Sequence, residues 1–148
     1  DYPVIPDTLI TSTGVPKHRL VMSGIVDLGW DVTLSSKLTL ASQRPRYAIN
    51  CNDAPNFDNC FFDPFEPEGT LGYKQFDLAL EKRWNTGTDI GFRVRADLIN
   101  AFNWRNWNQY ADWRGGPGEV VPDSFGRRNG NEILWPTRTF KLSFGFDW

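Results

Sequence analysis

The twelve residues at positions 137–148 constrain the fold more than any other stretch. Their sequence is TRTFKLSFGFDW, in which large apolar side chains occupy every second position from Phe140 to Trp148. Residues that alternate with a period of two point to opposite faces of a β-strand. The intervening positions are polar or small, so we predict a strand with one aromatic face and one polar face.

Four other segments show the same alternation. They cover residues 18–30, 32–42, 75–84 and 90–98. Gly29-Trp30-Asp31 is short enough to be a tight turn, and residues 85–88 supply Asn and Gly for another. No segment has a helical period. We therefore predict an all-β fold, an antiparallel meander of about five strands that occupies the single domain 1–148.

Two long segments, residues 43–73 and 104–136, interrupt the strands. They follow the second and fourth strands, whereas short turns follow the first and third. In a meander this order puts both long loops at one end of the sheet. Transmembrane barrels show this asymmetry, with the long loops outside the cell. The last strand then ends at the opposite interface, together with Trp30, Trp84 and Trp148.

Composition excludes some classes of function. A net charge of −2 gives no general electrostatic basis for binding nucleic acid. The sequence contains no run of about 18 apolar residues, so it predicts no transmembrane helix. A strand of a membrane barrel, however, needs only about 9–11 residues. Residues 1–10 lack the features of a signal peptide and no Met starts the chain, so we expect a longer or processed protein.

Both cysteines lie in the first long segment. Cys51 and Cys60 enclose eight residues, NDAPNFDN, a spacing that a hairpin-like loop can bridge. We predict a disulfide and therefore an oxidising compartment; two unpaired thiols are the alternative.

Charged residues occupy the polar positions of the predicted strands. They are Asp77, Glu81, Arg93, Arg95 and Lys141. Pairing the third and fourth strands places Glu81 opposite Arg93, or Asp77 opposite Arg95 after a shift of two residues. In a barrel these groups would face the lumen, where we expect them to fix the register rather than bind a ligand.

The second long loop contains the candidate ligand-binding residues. They are Trp104, Trp107, Tyr110, Trp113 and Arg114. Aromatic rings can stack on a sugar or chelate, and Arg can pair with a carboxylate. Packing of the loop on itself is the alternative.

Other residue types give weaker signals for chemistry. His18 is the only histidine, and no nucleophile with a paired base can be assembled around it, so we predict no enzyme. Asp53, Asp58 and Asp63 match no EF-hand spacing and are interpreted as turn residues. We expect no metal site and no cofactor.

Several short motifs together resemble a known family. They are PKHRL at 16–20, DLGW at 27–30, SQRP at 42–45, FRVRADLINAFN at 92–103, FGR at 125–127 and PTRTF at 136–140. In their order and spacing, residues 16–148 resemble the C-terminal part of a TonB-dependent outer-membrane receptor. Ile99 stands where that family more often has Phe.

The resemblance implies a fold, a location and partners. Such receptors have a plug inside a barrel of about 22 strands and import scarce nutrients such as metal chelates, vitamins or oligosaccharides. It implies a partial transmembrane β-barrel in the bacterial outer membrane, in contact with lipid. The barrel assembly machinery would read Phe146 and Trp148. The TonB energy-coupling system would act through a plug that these residues lack, so we expect a C-terminal fragment. The resemblance does not identify the substrate.

Two other classes of protein fit parts of the pattern. One is a soluble β-sandwich or calyx that binds carbohydrate or lipid, with the aromatic face directed inward. The other is an outer-membrane barrel enzyme such as a lipase or protease, which the missing Ser motif disfavours. A five-stranded sheet with two open edges and an apolar outer face is expected to aggregate in water.

Overall fold

The computed structural model describes residues 12–87, 90–130, 133–134 and 137–148. This part of the chain contains nine β-strands and one single-turn 3-10 helix, Phe57–Asn59, with no α-helix. The all-β prediction is confirmed. The strands are β1 Arg19–Gly29, β2 Val32–Ser42, β3 Arg46–Asn50, β4 Phe61–Phe65, β5 Leu71–Asn85, β6 Gly91–Ile99, β7 Asn106–Trp107, β8 Ile133–Leu134 and β9 Thr139–Asp147. Residues 1–10, Trp135 and Pro136, which the sequence assigns to loops or to a strand entry, lie outside the described residues.

The main sheet contains the five predicted strands in the order β1-β2-β5-β6-β9. Every neighbouring pair is antiparallel, as the meander requires. The short connections β1–β2 and β5–β6 lie at one end, and both long connections leave from the other. The five-stranded meander with its long loops at one end is confirmed. The described strands form an open sheet with β1 and β9 at its edges.

The register sorts the side chains of the main sheet onto two faces. Leu38 lies opposite Phe76, and Phe92 lies opposite Phe146, so apolar residues face apolar residues across the strands. We call the even-numbered side the apolar face and the odd-numbered side the polar face. The polar face contains all five of the predicted strand charges, Asp77, Glu81, Arg93, Arg95 and Lys141.

The described chain leaves most of the apolar face uncovered, and at its loop end Phe102 stacks on Phe76 with ring centroids 5.1 Å apart. Phe140, Phe144 and Phe146 are each about two-thirds exposed, at 66%, 64% and 64%. On the opposite edge Met22 is 58% exposed. The largest fully buried side chains are instead Cys51 and three asparagines, all outside the main sheet. The five strands therefore have an apolar surface without a hydrophobic core beneath it.

Both predicted registers for β5 and β6 are wrong. Glu81 lies opposite Arg95, and Arg83 lies opposite Arg93. The strands pair as far as Asn85 and Gly91, so five residues connect them, whereas the predicted registers assumed a shorter turn. A carboxylate nevertheless faces an arginine, as cross-strand charge pairing favours.

The two long segments contain strands that the sequence analysis did not predict. β3 and β4 form a hairpin, and the two-residue strands β7 and β8 pair with each other. Pro64 within β4 argues against a strand in a sequence pattern, although it is tolerated at a sheet edge. Two-residue strands are too short to show any period.

Candidate functional site

The two long connections interlock at one end of the sheet. We call residues 43–70 and 100–130 together the loop layer. The Ile49 N–H donates to the Asp112 carbonyl at 2.8 Å, and the Arg114 N–H donates to the Ile49 carbonyl at 3.1 Å. The rings of Phe65 and Phe125 pack with centroids 4.9 Å apart. Each long connection thus holds the other in place.

A disulfide closes the β3–β4 hairpin of the loop layer. Cys51 bonds to Cys60, which confirms the predicted pairing, so the alternative of two unpaired thiols is wrong. Cys51 directly follows Asn50 and Cys60 directly precedes Phe61, and these two strand residues are the last pair of the hairpin. Cys51 is almost fully buried, with 1% of its surface exposed. The bridge therefore fixes the far end of the hairpin.

Tyr110 packs inside the loop layer. It is 8% exposed, and its hydroxyl oxygen accepts a hydrogen bond from the Gln43 side-chain amide at 3.0 Å. The Arg46 guanidinium lies over its ring, 5.2 Å from the centroid. Tyr110 therefore stabilises the junction of the two long connections.

Trp104 and Trp107 already have cationic neighbours. The Lys74 ammonium lies 5.8 Å from the Trp104 ring, which also packs on Phe102 at 5.0 Å. Arg128 lies 5.2 Å from the Trp107 ring. Both tryptophans are partly covered, and these contacts tie the loop layer to β5 and to itself.

Trp113 belongs to an exposed aromatic surface. It forms a parallel bridge with Ile49, which puts the two side chains side by side. Ile49 lies opposite Phe62 in the hairpin, and the Tyr47 ring meets the Phe62 ring edge-on at 6.3 Å. We call Tyr47, Ile49, Phe62 and Trp113 the aromatic platform; their exposed fractions are 48%, 38%, 72% and 41%.

The sequence analysis missed most of this platform because its members come from different long segments. Only the pairing of β3 with β4, and of Ile49 with Trp113, brings them together. Arg114, predicted to act beside Trp113, follows it on the opposite side and forms an ion pair with Asp63. The five candidate residues therefore do not form one site.

The charges of the polar face form a connected network. The Arg83 guanidinium lies 2.8 Å from a Glu81 oxygen, and Arg95 bridges Glu81 at 3.7 Å and Asp97 at 2.8 Å. Arg93 lies opposite Gly145, and Lys141 lies opposite Asp97. Only the Arg95–Glu81 pair joins two strands, at positions that lie opposite each other in the register, whereas the other two pairs each join residues of one strand.

The polar face borders a trough of about 690 Å³. Its lining includes Ser23, Lys37, Gln75, Asp77, Arg95 and Asp97. A trough that spans strands β1 to β6 shows that the sheet is concave on this side. The apolar face is therefore the convex one.

Two buried asparagines were not predicted as structural residues. Asn100 is 0% exposed; its side-chain oxygen accepts from the Trp104 N–H at 3.0 Å, and its amide donates to the Trp104 carbonyl at 2.9 Å. Its φ of 50° is typical of an Asn in a turn. Asn106 is 2% exposed and binds the backbone of Lys74. Asn100 stands two positions after the fourth predicted strand, which was the available signal, whereas Asn106 lies within the second long segment and has no such signal.

Aromatic rings form a band at the short-turn end of the apolar face. Trp84 packs on Phe92 at 5.5 Å, and Phe92 packs on Phe146 at 5.3 Å, which joins β5, β6 and β9. Trp30 and Trp148 lie at the same end and are 89% and 94% exposed. Five aromatic residues thus collect at one rim of the sheet.

Comparisons with known proteins do not assign a family. No family model, curated protein or solved structure matches the chain. Among the described residues no helix is long and apolar enough to cross a membrane. Nor does this part of the chain contain a group of three or more His, Cys, Asp or Glu residues that could hold a metal ion.

Proposed function

We propose that this chain forms part of the wall of a bacterial outer-membrane transporter of the TonB-dependent receptor type, which imports a scarce nutrient. The observation that carries the proposal is the largely uncovered apolar face. Five adjacent strands present large apolar side chains outward, and Phe140, Phe144 and Phe146 are about two-thirds exposed. Contiguous exposed apolar surface of this extent suits contact with lipid.

The opposite face supports the same proposal. Its charges line a concave trough, which suits the water-filled interior of a barrel. The aromatic band at the short-turn end suits an interfacial girdle. In this arrangement the loop layer faces outside the cell, and Phe146 and Trp148 end the last strand at the periplasmic rim, where the assembly machinery would bind.

The open edges of the sheet also fit a larger barrel. β1 and β9 each have a described neighbour on one side only. In a membrane every backbone polar group needs a partner, so further strands would have to pair with both edges. The TonB energy-coupling system would act through a plug domain encoded in the same reading frame.

A soluble calyx is a weaker proposal for the same sheet. It would place the aromatic face inward around a ligand, whereas the trough borders the polar face.

Membrane insertion can be tested with the full chain and lipids brominated at known depths. We expect brominated lipid to quench tryptophan fluorescence, and we expect most of that quenching to disappear in the triple variant W30F/W84F/W148F. A matched variant, W104F/W107F/W113F, removes three loop-layer tryptophans and should retain it. Equal loss in both variants, or a chain that does not float with liposomes, would contradict the proposal.

The receptor family can be tested from the coding frame. We expect the reading frame around these residues to encode a plug domain and many more alternating strands. A frame that encodes neither would rule out the TonB-dependent receptor while leaving the membrane test to decide the location.

A further inference from the structure

A basic pocket lies where the polar face meets the loop layer. It is formed by β1, β2, β5 and the start of the first long connection. The residues that matter here are Arg19, Lys37, Arg44, Tyr73, Gln75 and Asp77. The pocket thus combines three cationic side chains with one carboxylate.

The three cations have no ion pair within the described residues. Each ion pair found there involves other cations, and none joins Arg19, Lys37 or Arg44 to a carboxylate within 4.0 Å. All three residues are exposed on the surface of the pocket. An excess of positive charge is therefore available to a ligand.

Neutral donors occupy the one carboxylate of the pocket. Asp77 accepts hydrogen bonds from the Gln75 side-chain amide at 2.8 and 2.9 Å, and from the Asn100 N–H at 2.9 Å. Lys37 lies directly opposite Asp77 in the sheet, yet the two do not form an ion pair. Hydrogen bonds from Gln75 and Asn100 thus hold Asp77, and the Lys37 ammonium stays accessible to a ligand.

Oxyanions match this arrangement of donors. Guanidinium groups bind carboxylates and phosphates through paired hydrogen bonds, and an ammonium adds a point charge. Arg19 and Arg44 line the same pocket as Lys37 and Tyr73, so one ligand in that pocket can reach both guanidinium groups. Three cations that share one concave surface repel each other, and a bound anion removes that repulsion.

We propose that this pocket binds the carboxylate or phosphate groups of a polyanionic small molecule. The identification of that molecule as the imported nutrient rests on the proposed function. The basic pocket favours an anionic chelate over a neutral oligosaccharide as the substrate class, because a neutral sugar would leave the three cations without a counter-ion.

Titration calorimetry on the full chain, folded in detergent micelles, tests the pocket with citrate and inorganic phosphate as separate probes. We expect binding that weakens at higher salt. Arg19→Gln and Arg44→Gln should each weaken it about tenfold, the loss of roughly one charge-assisted hydrogen bond. Arg138→Gln removes an exposed arginine outside the pocket and should leave the affinity unchanged. Tighter binding of citrate would identify carboxylate as the ligand group, and tighter binding of inorganic phosphate would identify phosphate.

Two results would overturn the site: no binding of either probe, or equal effects of the pocket and Arg138 variants. The brominated-lipid assay on the same samples separates the two proposals. A chain that inserts into lipid but binds neither anion would refute the pocket alone. Anion binding by a chain that stays out of lipid would refute the membrane proposal and leave the pocket standing.

Discussion

The Asn106 side chain hydrogen-bonds to the backbone of β5 where no main-sheet strand pairs with it on that side. Its oxygen accepts from the Lys74 N–H at 2.7 Å, and its amide donates to the Lys74 carbonyl at 2.9 Å. β6 pairs with β5 only from Leu78 onward, so the earlier residues of β5 need other partners on that side. The amide supplies the donor and acceptor that a strand would supply.

Asn106→Leu removes both hydrogen bonds while keeping the side-chain volume similar. We expect it to lower the free energy of unfolding by about 2–3 kcal/mol, because two partly buried backbone groups of Lys74 lose their partners. Denaturant unfolding in detergent measures the change, and amide exchange at Lys74 should accelerate. Asn129→Leu, at an exposed loop position, is the matched control. Equal losses in both variants would contradict this account.

Two strand glycines differ in what surrounds them. A methyl group at Gly72 would lie 3.0 Å from the Gln43 Cα and 3.1 Å from the Ser42 carbonyl oxygen, both backbone atoms. At Gly145 it would meet the Arg93 side chain, whose Cγ would lie at 3.0 Å. Arg93 is exposed and can move away, whereas the backbone at Gln43 cannot move without disturbing the loop layer.

We therefore expect Gly72→Ala to destabilise the fold by about 1–3 kcal/mol, the usual range for overpacking. Gly145→Ala should change stability by less than about 1 kcal/mol. Thermal unfolding followed by circular dichroism compares the two. The reverse order of stabilities would show that the close approach at Gly72 is relieved elsewhere.

At the scale of elements, the disulfide belongs to the β3–β4 hairpin and not to the sheet. Nine positions separate Cys51 from Cys60, and their bridge lies beyond the last strand pair of the hairpin. A closed loop of this length stabilises by about 2–3 kcal/mol in the chain-entropy model. That stabilisation should be confined to the loop layer.

The variant C51S/C60S should expose residues 46–65 to faster hydrogen exchange while the five-stranded sheet keeps its protection. Hydrogen exchange with mass spectrometry resolves the two regions. Simultaneous loss of protection in β2 and β5 would mean that the hairpin and the sheet unfold as one unit.

The five long strands could be predicted because one alternating pattern fixes both their extent and their faces. The hairpin and the aromatic platform could not be predicted, since Tyr47 and Trp113 become neighbours only through pairing between two separate loops. The β5–β6 register failed for a related reason. The length of the connecting turn, which the sequence does not state, decides whether Arg95 or Arg93 faces Glu81.

At the scale of the whole molecule, the two faces of the sheet should differ in how well they tolerate an added charge. Phe144 lies on the apolar face, and its neighbour Ser143 lies on the polar face opposite Arg95. A lysine on the lipid side of a barrel costs about 2–4 kcal/mol near the bilayer centre. A lysine on the polar side remains in contact with water.

Phe144→Lys should therefore reduce the fraction of chain that folds into liposomes by at least tenfold, whereas Ser143→Lys should have little effect. Resistance to protease after reconstitution measures that fraction. If Ser143→Lys is the more damaging of the two, the assignment of the faces must be reversed.

Strands that neighbour each other in this sheet also follow each other along the chain, apart from the small strands inserted in the two long connections. Lengthening a connection between two such strands adds only a logarithmic entropy cost, about 0.6 kcal/mol for each doubling of a flexible loop. The loop layer can therefore lengthen or change in sequence without shifting a single strand pair. The sheet and the loop layer can thus change at different rates, and an insertion in one need not disturb the other.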